Sequence, residues 1–248
     1  MSELEPLLHA DEAIDDLHCS HLKIIQARNG YRFSIDPVLL CAFTRLNQGM
    51  RIVDLGTGNG VIPSILASRI ESLQIVGLER QASMADRARR CARLNNLQDR
   101  IQIIEGDVRE LAESMAGERF DAALMNPPYR APSSGRIAAD GERAAARHEL
   151  AGNITDFLQA AARLLNRNGL IYVVFLAERL AGLLSEMRRF NLEPKRLRMV
   201  HPRRRQAAKL ILVEGRKNGK PGLEIEPPLY IYRGAGRDYT AEVLKMYR

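Results

Sequence analysis

Two hydrophobic periods alternate along the chain. Apolar runs of four to six residues recur at Arg51-Ile52-Val53-Asp54-Leu55, Gln74-Ile75-Val76-Gly77-Leu78, Ile101-Gln102-Ile103-Ile104, Phe120-Asp121-Ala122-Ala123-Leu124-Met125 and Leu170-Ile171-Tyr172-Val173-Val174-Phe175. Runs this short, bounded by turn residues, read as buried strands. Between them the period lengthens to that of a helix. Residues 81–96 place Met84, Ala88, Cys91 and Leu94 on one face, and residues 153–166 place Ile154, Phe157, Leu158, Ala161, Leu164 and Leu165 on another. Further helices are expected over 178–190, from Val61 onward, and from Asp36 to about Leu46, with Asp36 as cap and Pro37 as first helical residue. Strand and helix in alternation predict an α/β fold with a mainly parallel sheet. Two late runs, 196–201 and 208–213, are joined by Pro202-Arg203-Arg204-Arg205-Gln206, too short for a crossover helix, so they should pair antiparallel. Near the start, residues 22–29 alternate as a strand and Arg28-Asn29-Gly30-Tyr31 reads as a turn. A small hairpin is therefore expected within 22–37, after an acidic, loosely held lead-in over 1–21 and before the main domain over 38–248.

Composition narrows the class. With 248 residues, 46% of them hydrophobic, the chain can build a sizeable core. No apolar run approaches the ~18 residues of a membrane helix. The acidic opening is unlike a secretory signal. Cys19, Cys41 and Cys91 are too scattered for a disulfide framework or a zinc site. A cytoplasmic protein without membrane or metal is the expectation. The net charge is +7, yet residues 1–16 hold six acids and no Lys or Arg, so the rest of the chain is more basic than the total suggests. Such a surface suits a polyanion, nucleic acid first, or simply keeps the protein soluble. Residues 196–220 contain nine Lys or Arg against the single acid Glu214. The Arg203-Arg204-Arg205 turn can meet phosphates or remain a solvated hairpin. Residues 130–150 read as a long loop in which Arg130, Arg136, Arg143 and Arg147 offer the same choice.

The candidate chemistry sits at strand ends. Gly56-Thr57-Gly58-Asn59-Gly60 follows the strand carrying Asp54. Its glycines allow a sharp turn that leaves room for a ligand. The Asp-x-Gly-x-Gly-x-Gly spacing differs from the Gly-x-Gly-x-x-Gly of nicotinamide dinucleotide folds, which cradle a pyrophosphate. Glu79 ends the next strand, 19 residues past Gly60, where an acid can hold ribose hydroxyls. Asp107 and Val108 follow the third strand, where a carboxylate and an N–H can meet an adenine edge. After the fourth strand comes Asn126-Pro127-Pro128-Tyr129. Two prolines cannot continue a ladder, so they fix a stiff turn. The Asn126 side-chain oxygen and the Pro127 carbonyl are both acceptors. Accepting from one NH2 group, they localise its lone pair and position it for attack. Tyr129 can stack on a flat base, a contact worth roughly 1–3 kcal/mol.

Taken together, Val53 to Pro63, Glu79, Asp107 and Asn126 to Tyr129 resemble a class I S-adenosylmethionine-dependent methyltransferase of the amino-methylating group. More narrowly, Tyr31-Arg32-Phe33-Ser34-Ile35-Asp36, the Asn-Pro-Pro-Tyr motif, Arg147-His148-Glu149 and the length resemble the bacterial tRNA1(Val) (adenine(37)-N6)-methyltransferase family. The resemblance spans roughly residues 22–232. It implies a Rossmann-like, mainly parallel seven-stranded sheet with a C-terminal antiparallel hairpin. It implies S-adenosylmethionine bound by Phe33, Asp36, Asp54, Gly56, Thr57, Gly58, Gly60, Glu79, Arg80, Asp107, Val108 and Asn126. Catalysis falls to Asn126, Pro127, Pro128 and Tyr129, and the tRNA would be held by Arg130, Arg147, Arg203, Arg204 and Arg205. The same motif chemistry also serves a glutamine amide of a release factor, guanine N2 of ribosomal RNA or adenine in DNA. A non-catalytic RNA-binding module on this fold is the alternative from another class.

Overall fold

The computed structural model describes residues 7–19, 21–29, 34–111, 115, 117–127 and 154–247. Its centre is an eight-stranded sheet in the order β10-β8-β9-β7-β6-β3-β4-β5. The strands are β3 (Arg51–Leu55), β4 (Gln74–Glu79), β5 (Ile101–Glu105), β6 (Phe120–Met125), β7 (Leu165–Leu176), β8 (Leu192–His201), β9 (Leu210–Lys217) and β10 (Glu224–Tyr230). β9 pairs antiparallel with both β7 and β8; every other pairing in the sheet is parallel. The α-helices are α1 (Asp36–Phe43), α2 (Val61–Arg69), α3 (Ala82–Leu94), α4 (Ile154–Leu164), α5 (Leu180–Arg189), which a short 3-10 turn (Ala177–Arg179) precedes, and α6 (Ala241–Lys245).

Two apolar layers bury the sheet. One joins α1, α2 and α3 to Ile52, Ile75, Leu124 and Tyr172; the other joins α4 and α5 to Val53, Leu55, Ala123 and Val173. Neighbouring residues of one strand thus enter opposite layers, which is why β3, β6 and β7 are apolar almost without alternation. The expected α/β architecture is present, as is the late antiparallel pair. The sheet has one strand more than expected. β10 adds parallel to β8 at the edge, with a register shift between Glu226 and Leu229. Pro227 and Pro228 lie at that shift, and an edge strand tolerates them because one side of its ladder is unpaired.

The N-terminal hairpin is also present but lies earlier than 22–37. β1 (Glu12–Asp16) pairs antiparallel with β2 (Lys23–Ala27), from Glu12 opposite Ala27 to Asp16 opposite Lys23. The segment read as a loose acidic lead-in therefore contains a strand. Glu12 is 1% exposed and paired with Arg87 at 2.7 Å and Arg90 at 2.5 Å, both on α3. Ile24 and Ile25 are fully buried, the Ile25 N–H meets Cys91 Sγ at 3.2 Å, and Asn95 bonds the Lys23 N–H and carbonyl. The hairpin is fastened to α3 by side chains far away in sequence, so its local pattern is weak.

Candidate active site

The chain leaves β3 toward β4 on one side and returns as β6 on the other. Leu55 pairs with Leu78 of β4 and with Met125 of β6, and Glu79 pairs with Glu105 of β5. Gly56, Glu79, Gly106 and Asn126 therefore emerge along one carboxyl edge. An open α/β sheet binds ligands in the crevice at such a reversal.

The glycine turn is built into that crevice. The N–H groups of Gly56 and Thr57 donate to the Leu78 carbonyl at 2.8 and 3.0 Å. Gly60 opens α2 at φ +79, and a Cβ there would sit 3.2 Å from that of Ala88, so glycine lets α3 approach. Gly58 at φ +56 has a different reason. A Cβ there would meet nothing within 4 Å, and its N–H donates to Glu79 Oε2 at 2.9 Å. The left-handed backbone, rather than crowding, calls for glycine at that position.

Two buried carboxylates stand behind the turn. Asp54 is 0% exposed, and its Oδ2 accepts from the Thr57 hydroxyl at 2.6 Å. Burial pushes its carboxyl up to about 7; the Thr57 bond opposes this and the charge of Glu79 adds to it. Burial also raises Glu79, against the N–H groups of Gln81 and Gly58 that bond its two oxygens. Asp54 Oδ1, Asn59 Oδ1 and Arg80 Nε are buried with no hydrogen-bond partner among the described residues. Orphaned buried polar atoms are uncommon and call for a ligand or water. Asn59 is the residue that motif reading passed over: it filled a place between two glycines, and only its buried, unpartnered oxygen marks it out.

The other predicted residues divide by location. Val108 is buried beneath the end of β5. Asp107 is bonded by Arg109 at 2.6 Å and lies 3.9 Å from Arg80 Nε. Burial raises its carboxyl, but the Arg109 bonds prevail and hold it below the ordinary value. Asp36 is the first residue of α1 rather than its cap, a position that Ile35 takes without a side-chain bond. Asp36 is mostly buried, and α1 packs on α2 with Cys41 Sγ 3.9 Å from the Ile62 carbonyl. Asn126 is half-buried and Pro127 buried at the tip of β6. Arg204 and Arg205 are exposed. Arg203 is bonded to the carbonyls of Gly234, Ala235 and Gly236 at 2.9, 3.1 and 2.6 Å. Phe33, Pro128, Tyr129, Arg130 and Arg147 lie outside the described residues. Among the described residues no helix is long and apolar enough to cross a membrane.

Comparison with known proteins bears on this geometry. Residues 46–211 match the family described as Methyltransferase domain. A tRNA1(Val) (adenine(37)-N6)-methyltransferase of Porphyromonas gingivalis is 32% identical over 191 residues, 75% of this chain and 74% of that protein. One of the same name from Actinobacillus succinogenes is 35% identical over 152 residues, 61% of this chain and 63% of its own length. The crystal structure of a predicted O-methyltransferase from Agrobacterium tumefaciens shares the fold, at TM-score 0.69 and 23% identity, covering 86% of this chain and 95% of that one. A methyltransferase domain of this kind uses S-adenosylmethionine, whose cationic centres suit buried carboxylates and whose polar groups suit the orphaned atoms. The chain belongs to the class I S-adenosylmethionine-dependent methyltransferases and, within them, to the family of the relatives named tRNA1(Val) (adenine(37)-N6)-methyltransferase.

Proposed function

We propose that this chain methylates N6 of an adenine in RNA, namely adenine 37 of a valine tRNA, in the cytoplasm. The observation that carries the reading is the pairing of Leu55 with Met125, which sets Asn126 beside the glycine turn at the reversal of strand order. The names of the relatives support the acceptor.

In this reading the Asp54 carboxylate and the Asn59 oxygen face the amino-acid end of the cofactor, and Gly58 leaves space for it. Glu79 accepts from ribose hydroxyls with the lone pairs that Gly58 and Gln81 leave unused. Asp107 and Val108 flank the cofactor's adenine, with Arg80 beside them; Phe33 and Asp36 close the near side. When bound, S-adenosylmethionine supplies a methyl group on cationic sulfur for direct transfer to nitrogen. Asn126 and Pro127 accept hydrogen bonds from the target amine, which directs its lone pair; the surplus proton then passes to solvent. The target base is turned out of its loop and stacks on Tyr129, whose stiff support is Pro128. Arg130, Arg147 and the 203–205 turn contribute positive charge toward the RNA.

The test uses labelled S-adenosylmethionine and total tRNA from cells lacking the modification, with digestion and mass analysis of the nucleosides. N6-methyladenosine in one valine tRNA is the expected product. Label in ribosomal RNA, DNA or a release factor instead would overturn the acceptor while leaving the site chemistry in place. Asn126→Ala should lower kcat about a hundredfold or more, comparable to losing one transition-state hydrogen bond and far more than it changes cofactor affinity. Turnover close to wild type would remove the amine-orienting role.

A further inference from the structure

The C-terminal tail beyond residue 220 has no role so far. β10 ends with Tyr230 opposite His201, the last residue of β8. The β8–β9 turn (202–209) and the loop after β10 (231–239) therefore leave the sheet side by side, at the carboxyl edge that also bears Asn126. β8 stands three strand spacings from β6, about 14 Å. A few nucleotides of RNA backbone span that distance.

The two loops are locked together. The N–H groups of Ile231 and Tyr232 donate to the carbonyls of His201 and Pro202, both at 2.9 Å. The Arg203 guanidinium donates to three successive carbonyls of the second loop and lies 5.2 Å from the centre of the Tyr232 ring. Tyr232 bridges to Tyr239, and their rings stack at 5.6 Å. Four exposed arginines project from this frame: Arg204 and Arg205 from the first loop, Arg233 and Arg237 from the second. None of the four has a carboxylate within 4.0 Å among the described residues, and Asp238 is the one acid in either loop.

We infer that these loops form one preorganised grip on the RNA backbone, in which Arg204, Arg205, Arg233 and Arg237 meet phosphates and Arg203 is a positioning residue that holds the loops in register. The inference rests on the RNA substrate proposed above, and it moves Arg203 from phosphate contact to brace. RNA fits better than a lipid surface, because the exposed large hydrophobics among the described residues, Leu223, Ile225 and Leu244, all lie outside both loops. Phosphate contacts of this kind give affinity and salt dependence without reading sequence.

The experiment is equilibrium binding of unmodified tRNA from 50 to 300 mM KCl, read by anisotropy, alongside the Kd for S-adenosylmethionine. Arg233→Ala with Arg237→Ala should weaken tRNA binding and lower the salt slope by about 1.4–1.8, two phosphate contacts at ~0.7–0.9 each. Arg204→Ala with Arg205→Ala should do the same, and cofactor affinity should hold in both. Arg203→Lys separates brace from ligand. Lysine keeps the charge but cannot span three carbonyls, so it should lose as much tRNA affinity as Arg203→Ala. Rescue by lysine, or a wild-type slope in the Arg233 and Arg237 double variant, would overturn the inference. If the wild-type protein methylates RNA while the loop variants bind normally, only this surface falls; if the wild type binds no RNA, the proposed function falls with it.

Discussion

Asp54 concentrates the site's electrostatics in one side chain. Fully buried, with one oxygen on Thr57 and the other unpartnered among the described residues, it holds its proton to about pH 7 against an ordinary value of 3.8. Between those values the folded chain keeps a proton that the unfolded chain has released. Without ligand, this group's contribution to stability is therefore largest below pH 3.8 and declines as pH rises to about 7. A cationic ligand reverses the preference, because it favours the ionised carboxylate. Affinity for S-adenosylmethionine should rise with pH by up to tenfold per unit below about 7 and then level off, as measured calorimetrically from pH 5.5 to 8. Asp54→Asn should bind more weakly with no such slope; a slope that survives would place the titration on another group. At this scale the sequence was informative wherever a motif fixes geometry. The glycines and Asp54 announced a turn and a buried acid. The partnership of Arg203 with the carbonyls of 234–236 was not legible, since an arginine triplet in a turn looks the same whether it faces phosphate or backbone.

Elements were legible in proportion to how local their causes are. β3, β5 and β6 are short apolar runs ended by glycine or proline, and each appeared close to its expected bounds. β1 was missed because Glu-Ala-Ile-Asp-Asp presents acids where a strand usually presents apolar residues. Its inward Glu12 makes sense only beside Arg87 and Arg90, supplied by α3 from 75 and 78 positions away. β10 was obscured by its two prolines, which only an edge position accommodates. The Glu12 cluster yields a prediction about the hairpin. Burial alone would raise the Glu12 carboxyl, but bonds from Arg90, the His9 N–H and Arg87 hold it at about 2. Its contribution to stability is thus in place above pH 4.5 and lost as pH falls toward 2. Glu12→Gln should destabilise the protein by about 3–5 kcal/mol at pH 7 in urea unfolding, because the buried Arg87 and Arg90 guanidiniums lose the carboxylate they share, even though Arg90 keeps Asp86 at 2.7 Å. Faster amide exchange should be concentrated in residues 12–27. A loss under about 1 kcal/mol would mean the pairs behave as surface ion pairs.

At the scale of the whole molecule, a buried junction ties together the elements that carry the proposed cofactor side and the proposed RNA grip. Arg196 on β8 donates to Glu214 of β9 at 2.8 Å, to Glu226 of β10 at 2.7 Å and to the Phe43 carbonyl closing α1 at 2.5 Å. Its guanidinium also lies 3.9 Å over the Phe43 ring. Tyr172 of β7 accepts the Arg45 N–H at 3.2 Å just beyond. One cation thus joins α1, whose first residue Asp36 is proposed for the cofactor side, to the strand whose end carries the 231–239 loop. Burial works to lower the Arg196 pKa, yet the two carboxylates raise it overall, so it stays charged throughout the working range. Arg196→Met keeps the length and apolar stem but strands Glu214 and leaves Glu226 to the exposed Arg45, 3.3 Å away. The expected loss is about 3–5 kcal/mol, or roughly 6–20 °C in Tm at ~2–4 °C per kcal/mol for a chain of this size. A second variant separates charge from packing. Arg196→Lys keeps a positive charge between the carboxylates but lacks the flat fork that reaches both of them and lies over the Phe43 ring. Its Tm should fall between those of the wild type and Arg196→Met. Equal Tm values for the two variants would mean that Arg196 acts through packing on Phe43 rather than through charge.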